Sequence, residues 1–345
     1  MMKNYQYFCL LTLGIAAACS TVQVSGDPAV QIAATAQTAP VGTANEDAAD
    51  DPAIWRNDSD PSASLIVATD KKAGLYVYGL DGEVRSFLPG GLLNNVDLIE
   101  LADGSILIGA SDRGDPMQAK VLLARLDVEA GRLTELARVD AGPGEAYGFC
   151  FGEARSDGSV TMYSPIKDGR IALNIAKPAG GSWSNETYTL AQLSSQPEGC
   201  VFDPRQGQLY VGEEVAGIWR LDGQSGEREM VAEIDNRMLV ADVEGLALAP
   251  SGTDGGYLVA SSQGDNAYAV FKLPNMTPLG RFRIGGNVVG SAEETDGIAL
   301  DPRSFGPNYP QGLFVAQDGD NRPDAQNFKL VSWHAVMDAL EESPR

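Results

Sequence analysis

The sequence predicts an all-β fold, a six-bladed β-propeller of four-stranded antiparallel blades around a central channel. Three observations predict it. First, an acidic or polar residue, often with a following glycine, leads into an apolar strand six times. The copies are Asp51-Pro52-Ala53-Ile54, Asp97-Leu98-Ile99, Tyr147-Gly148-Phe149-Cys150, Glu198-Gly199-Cys200-Val201, Glu244-Gly245-Leu246-Ala247 and Asp296-Gly297-Ile298-Ala299. Their leading residues stand 46 to 52 positions apart, the length of one propeller blade. Second, a run of apolar residues ending in polar ones keeps the same beat, as in Leu65-Ile66-Val67-Ala68-Thr69-Asp70 and Leu313-Phe314-Val315-Ala316-Gln317-Asp318. Third, 39 glycines and 19 prolines supply turns, Asp81-Gly82 and Asp222-Gly223 are hairpin signals, and Ser332 to Glu341 is the one stretch with helical periodicity.

From the N-terminus, Lys3 precedes the apolar run Phe8 to Ala18, too short for a membrane span and read as a signal peptide over residues 1–18. Ala16-Ala17-Ala18-Cys19 resembles a bacterial lipoprotein cleavage box, so Cys19 is expected to carry lipid in a cell-envelope lipoprotein of the outer membrane or periplasm. Ordinary cleavage after an A-x-A, giving a free secreted protein, is the alternative. Residues 19–43, rich in Ala, Thr, Val and Gln without periodicity, are expected to be a flexible leader. The propeller is expected over residues 44–345 as a single domain and a monomer. With Cys9 removed in the signal, Cys150 and Cys200 remain, either bridged, as an exported protein favours, or as two separate buried thiols.

A net charge of −22 and a pI near 4.3 exclude nucleic acid as a partner, because phosphate backbones need clustered Lys and Arg. Asp47, Asp50 and Asp51 crowd three carboxylates into five residues. In a propeller the equivalent residues of all blades face one end of the channel. Asp51, Asp97, Tyr147, Glu198, Glu244 and Asp296 are therefore expected to form a ring. Carboxylates sharing a site raise one another's pKa unless a cation holds them. With oxygen donors throughout and His334 the one histidine, that cation is expected to be Ca²⁺ rather than zinc or copper. Lys71, Lys72, Arg113 and Lys167 fall at the same mouth in blades one to three. They suggest a two-sided site, with calcium ions on one side and phosphate-binding cations on the other.

Other chemistries lack their residues. There is no Arg-His-Gly run, no Cys-x5-Arg, no phosphate-binding glycine loop ending in Gly-Lys-Ser/Thr, no Gly-x-Ser-x-Gly with a histidine partner and no EF-hand loop.

Two stretches carry a resemblance. Asp47-Ala48-Ala49-Asp50-Asp51-Pro52-Ala53-Ile54-Trp55 and Asn94-Asn95-Val96-Asp97-Leu98 are similar to the signature motifs of the β-propeller phytases, the alkaline calcium-dependent phytases of bacteria. Ordered matches continue through Lys71-Lys72-Ala73-Gly74-Leu75, Tyr147-Gly148-Phe149, Asp242-Val243-Glu244-Gly245-Leu246 and Phe314-Val315-Ala316-Gln317-Asp318-Gly319, so the likeness spans Ala44 to Trp333. It implies hydrolysis of myo-inositol hexakisphosphate, presented as its calcium complex, by water activated at a calcium cluster. It further implies that Lys71, Arg113 and Lys167 hold the phosphate that is cleaved, with Lys72 and Asp168 beside them. Tyr147, Glu198, Glu214, Asp242 and Glu244 would ligate the catalytic calciums, helped by Asp50. Asp51 and the Val96 carbonyl would hold a structural one, and Asp296 and Asp318 would be structural ligands or channel lining. Gly144 in place of Asn, Asp168 in place of Glu, and Ile99-Glu100 in place of a basic-aromatic pair depart from the family pattern. Two other functions fit a calcium propeller: a surface module that binds anions without chemistry, and a lactonase or phosphotriesterase, which would not need the basic cluster.

Overall fold

A computed structural model describes residues 24–286 and 288–342, and among them are six four-stranded units arranged in a ring. Blade one runs outward from the channel as Ala49–Trp55, Leu65–Asp70, Gly74–Gly79 and Val84–Pro89. The inner strands of blades two to six are Leu93–Glu100, Cys150–Ala154, Pro197–Asp203, Val243–Ser251 and Ile298–Asp301. Within each blade, neighbours in sequence pair antiparallel, as the hairpin signals require.

The second strand of each blade explains why the apolar runs do not alternate. Every residue of Leu65–Asp70 is buried. Leu65 and Val67 pack toward blade two, whereas Ile66 and Ala68 pack toward blade six. A strand covered on both faces has no solvent side to favour polar residues. The core is correspondingly divided into six clusters, each filling the wedge between two adjacent blades.

Residues 24–43 differ from the expected flexible leader. Val30–Ile32 pairs parallel to Thr277–Ile284 as a fifth strand on blade five, and Ala36–Gln37 completes blade six as its outermost strand beside Asn327–Ser332. Ile32, Ala34 and Val41 are buried. The segment reads as unstructured because its two strands are only three and two residues long. Their hydrogen-bonding partners lie some 250 to 290 positions away, beyond any local periodicity. The N-terminal strap thus ties the two ends of the chain into one sheet, which resists opening of the ring. Residues 1–23, which include the expected signal peptide and Cys19, lie outside the described residues. The helix Trp333–Glu342 forms one position later than expected and lays Trp333, Val336 and Leu340 on the wedge between blades five and six.

Candidate functional site

The inner strands fix the ring of channel residues through a shared irregularity. In blades one, two, four and five the pairing of first and second strands skips two residues: Asp50 and Asp51, Asn94 and Asn95, Glu198 and Gly199, Glu244 and Gly245. In blade three the bridge before the gap pairs Ala146 with Ile166, so the ring residue is Tyr147, and in blade six counting two residues back from the first paired position gives Asp296. The structural ring is therefore Asp50, Asn94, Tyr147, Glu198, Glu244 and Asp296. This corrects the expected ring in blades one and two. Asp51 lies one residue deeper, where its carboxylate accepts the Val96 amide at 3.0 Å. Asp97 lies deeper still, accepting the Phe151 amide at 2.8 Å. These two carboxylates stitch adjacent inner strands rather than face the mouth.

The glycine of the acid-Gly repeat has a steric cause. A Cβ on Gly199 would strike the Glu244 carbonyl, one on Gly245 the Asp296 carbonyl, and one on Gly297 the Asp50 carbonyl and Asp51. In these blades the inner strands approach so closely around the axis that only hydrogen fits at this position. Cys150 and Cys200, at equivalent positions of blades three and four, are joined by a disulfide with Cα atoms 5.8 Å apart.

Five carboxylates converge at the mouth in two overlapping groups. Asp50, Glu198 and Asp296 bring oxygens within 4.8 Å of one another, and so do Glu198, Glu214 and Glu244. Glu198 belongs to both. Burial, and after it the Asp50 charge, pushes the Glu198 carboxyl up to about 7. Burial with Glu198 raises Glu244, burial with Asp50 raises Asp296, and burial raises Glu214. Asp50 Oδ2 and Glu244 Oε2 are buried without a hydrogen-bond partner. Unsatisfied buried carboxylate oxygens are costly unless something electropositive meets them. The all-oxygen donor set suits a hard divalent ion. Tyr147 stands beside this group: burial, then Glu198, Glu244 and Glu214, raise its hydroxyl pKa. Asp242, half-buried, adds a further charge next to Glu214.

Lys71 departs from the expected basic cluster. Its ammonium lies 3.0 Å from both Asp47 and Asp50 and 3.3 Å from Asp296, inside the carboxylate side. Burial favours its neutral form, but Asp50, Asp296 and Asp47 overcome this and raise its pKa, keeping it charged. Arg113 and Lys167 form the separate basic side. Both contact Glu145, at 2.9 and 3.0 Å, and both stand over the Tyr147 ring, at 5.2 and 4.8 Å from its centre. Lys72 is exposed at the same rim.

A family model described as phytase matches residues 6–345. The chain belongs to the phytase family. It is 34% identical over 333 residues to the 3-phytase of Bacillus subtilis (strain 168), covering 91% of this chain and 86% of that one. A chain in a crystal structure of the mitotic checkpoint complex overlays with a TM-score of 0.50 at 14% identity, covering 95% of this chain and 86% of that one. The second likeness concerns the propeller fold alone.

In this phytase-family chain, two expected site residues are committed elsewhere. Asp168 is held by Arg170 at 2.7 Å, which also binds the Pro143 carbonyl, so the pair braces a loop. Asp318 is buried against Lys329 at 2.9 Å and accepts the Glu293 amide. It shares a strand-end position with Asp70, Asp112 and Glu213, each of which accepts loop amides or pairs with a cation.

Three residues of the site escaped the sequence reading. Asn94 joins the two halves, accepting from Arg113 Nη1 at 2.7 Å and donating to Glu198 Oε1 at 2.6 Å. It lies inside a motif singled out in the sequence, and reading the ring three residues earlier in blade two would have found it. Gln196 donates to Glu214 at 2.6 Å. Glu145 sits two residues before Tyr147, on the same face of extended backbone. Burial disfavours its charge, but hydrogen bonds from Lys167 and Arg113 outweigh that and hold its pKa below the ordinary carboxylate range.

Proposed function

We propose that this protein is a calcium-dependent phytase, a phosphoric monoester hydrolase acting on myo-inositol hexakisphosphate and related inositol phosphates presented with calcium. The observation that carries the reading is the link Arg113–Asn94–Glu198, which joins a phosphate-sized pair of cations to two carboxylate groups that share Glu198. Asp50, Glu198 and Asp296 would hold one calcium, and Glu198, Glu214 and Glu244 another, with Tyr147 and Asp242 beside the second. Five carboxylates against the one ammonium of Lys71 leave four uncompensated negative charges. Two divalent cations would balance them, and the orphaned oxygens of Asp50 and Glu244 are supplied with partners. Calcium held by these carboxylates would supply the positive charge that lowers the pKa of a bound water and offsets charge on phosphoryl oxygens.

The chain's own residues do the rest. Arg113 and Lys167 grip the phosphoryl group and neutralise charge developing on its oxygens. Lys71 keeps Asp50 and Asp296 turned toward the mouth. Lys72, exposed at the rim, meets a second phosphate of the polyanion. Asp51 and the Val96 backbone belong to a deeper layer that supports the ring, where Asp51 could serve a structural calcium. The protein acts outside the cytoplasm as an exported monomer, anchored through lipid on Cys19. No helix among the described residues is long and apolar enough to cross a membrane.

The test is phosphate release from calcium phytate, with and without a calcium chelator. The reading requires release that stops on chelation and returns with added Ca²⁺. Release indifferent to chelation overturns the calcium mechanism, and no release under any calcium level overturns the phytase reading.

A further inference from the structure

We propose that Glu145 is the positioning residue of the phosphate clamp: it fixes Arg113 and Lys167 relative to one another and sets how strongly the pair holds an anion. The inference rests on the reading of this mouth as a phosphate-ester site.

A single carboxylate oxygen carries the arrangement. Glu145 Oε1 accepts from Arg113 Nε at 3.2 Å and Nη2 at 2.9 Å, and lies 3.0 Å from Lys167 Nζ. The backbone places it there. Ala146 bridges antiparallel to Ile166, and the Glu145 carbonyl accepts the Lys167 amide at 3.2 Å. Glu145 and Lys167 therefore project from adjoining chain segments into one space. The Tyr147 ring supports both cations from another side. Two cations this close repel each other, and without the carboxylate between them each long side chain would swing apart into solvent.

The edge of Arg113 that Glu145 takes, Nε with Nη2, is the fork by which a guanidinium grips two oxygens of a phosphate. Its other terminus, Nη1, is held by Asn94. Glu145 thus keeps the fork aimed while lowering the formal charge of the clamp from two positive to one. An entering phosphoryl group shares or takes over that edge. After cleavage, the carboxylate returns to it and the phosphate leaves a clamp of modest net charge. Position and moderation of charge come from the same oxygen, so substitutions that keep one and lose the other separate them.

The experiment compares Glu145→Gln and Glu145→Asp with the unaltered chain. It reads kcat and KM on calcium phytate, inhibition by inorganic phosphate, calorimetric binding of inorganic phosphate in the presence of Ca²⁺, and the thermal midpoint. Glu145→Gln, which removes the charge at nearly constant shape, is expected to bind inorganic phosphate about threefold more tightly, the scale of a partly exposed charge pair. It is expected to lose about tenfold in kcat with KM falling, as a misaimed and overly retentive clamp requires. Glu145→Asp, with the charge but a shorter reach, should return phosphate binding to the original value and leave kcat low. The thermal midpoint should stay within about 2 °C in both. Unchanged kcat and phosphate binding in Glu145→Gln overturns the inference, leaving an ordinary surface ion pair. Weaker phosphate binding in that variant overturns it as well. Should the unaltered chain bind phosphate but release none from phytate, the functional reading fails, and the calorimetric comparison still decides the role of Glu145.

Discussion

Asn94 donates its side-chain amide to Glu198 at 2.6 Å, reaching from blade two to blade four. The same amide group accepts from Arg113 at 2.7 Å. One neutral side chain therefore orients both the carboxylate shared by the two acidic groups and the guanidinium of the basic side. Asn94→Ala is expected to lower kcat/KM on calcium phytate by about 10- to 100-fold, the usual loss when a residue orienting a metal ligand is removed. Calcium affinity measured by calorimetry should weaken with it. Asn94→Asp should be worse than Ala, because it adds a negative charge to an oversupplied site and cannot donate to Glu198. Full activity in Asn94→Ala would show that the link is incidental.

The acid-Gly repeat makes a steric prediction. A methyl at Gly199 has nowhere to go, since its nearest neighbour is the Glu244 carbonyl of the adjoining inner strand, backbone rather than a movable side chain. Gly199→Ala is expected to cost about 1–3 kcal/mol of stability, the usual result of overpacking. It should also weaken calcium binding, since Glu198 and Glu244 would be forced apart. Denaturant unfolding in chelator and in calcium separates the two effects. By contrast, Gly91→Ala meets no atom within 4 Å, and its cost comes from its positive φ alone, about 1 kcal/mol.

The strap that closes the ring is predicted to be sensitive to acid. Asp265 accepts the Gly26 amide at 2.9 Å and binds Arg281, whose guanidinium also holds the Asp27 carbonyl at 2.8 Å. Burial works against the Asp265 charge, but Arg281, the Gly26 amide and Arg283 outweigh it, and its pKa lies below the ordinary 3.8. A carboxylate depressed on folding stabilises the fold fully above its unfolded value, and loses that contribution as pH falls through the lower folded value. Amide protection over residues 26–37, taken relative to the intrinsic exchange rate at each pH, should therefore fall as pH drops below about 4, ahead of amides in blades two and three. Asp265→Asn should exchange faster at neutral pH and lose this acid dependence, leaving Arg281 buried without its counter-charge. Equal protection of the strap in both proteins at all pH values would refute the anchoring.

Fold and site differed in how far the sequence reveals them, for reasons visible in particular residues. The six-fold beat was legible because a blade is built from local hairpins, and because the close approach at the axis writes glycine beside the ring acids in blades four to six. Blades one and two escaped that spelling. There Asp51 and Asn95 replace the glycine, so the ring residue was sought at Asp51 and Asp97 instead of Asp50 and Asn94. Contacts between blades were not legible at all. Nothing in the spacing tells that Lys71 would turn to Asp50 and Asp296 while Arg113 turns to Glu145, or that Asp168 and Asp318 would be consumed by Arg170 and Lys329. Strand pairing over some 290 residues likewise hid the strap, whose two short strands bury their apolar side chains only against distant partners.

The disulfide bears on both stability and the site. Cys150 and Cys200 join the inner strands of blades three and four, closing a loop of 50 residues. Each cysteine lies within three residues of a site group, Tyr147 in one strand and Glu198 in the other. For a loop of this length, the chain-entropy contribution of the bond is about 4 kcal/mol. The Cys150→Ser/Cys200→Ser double variant is expected to lose a large part of that, read as a lower midpoint in guanidinium unfolding with an unchanged slope. Calcium should raise the midpoint of both proteins, because an ion held by Glu198 with Glu214 and Glu244, or with Asp50 and Asp296, would bind the folded ring and not the unfolded chain. If the bond holds Glu198 in place for calcium, the parent binds the ion more tightly, and the difference in midpoint between the double variant and the parent should be larger in saturating calcium than in chelator. A difference independent of calcium would mean that the bond and the carboxylate groups act on separate parts of the ring, and that the disulfide does not support the site.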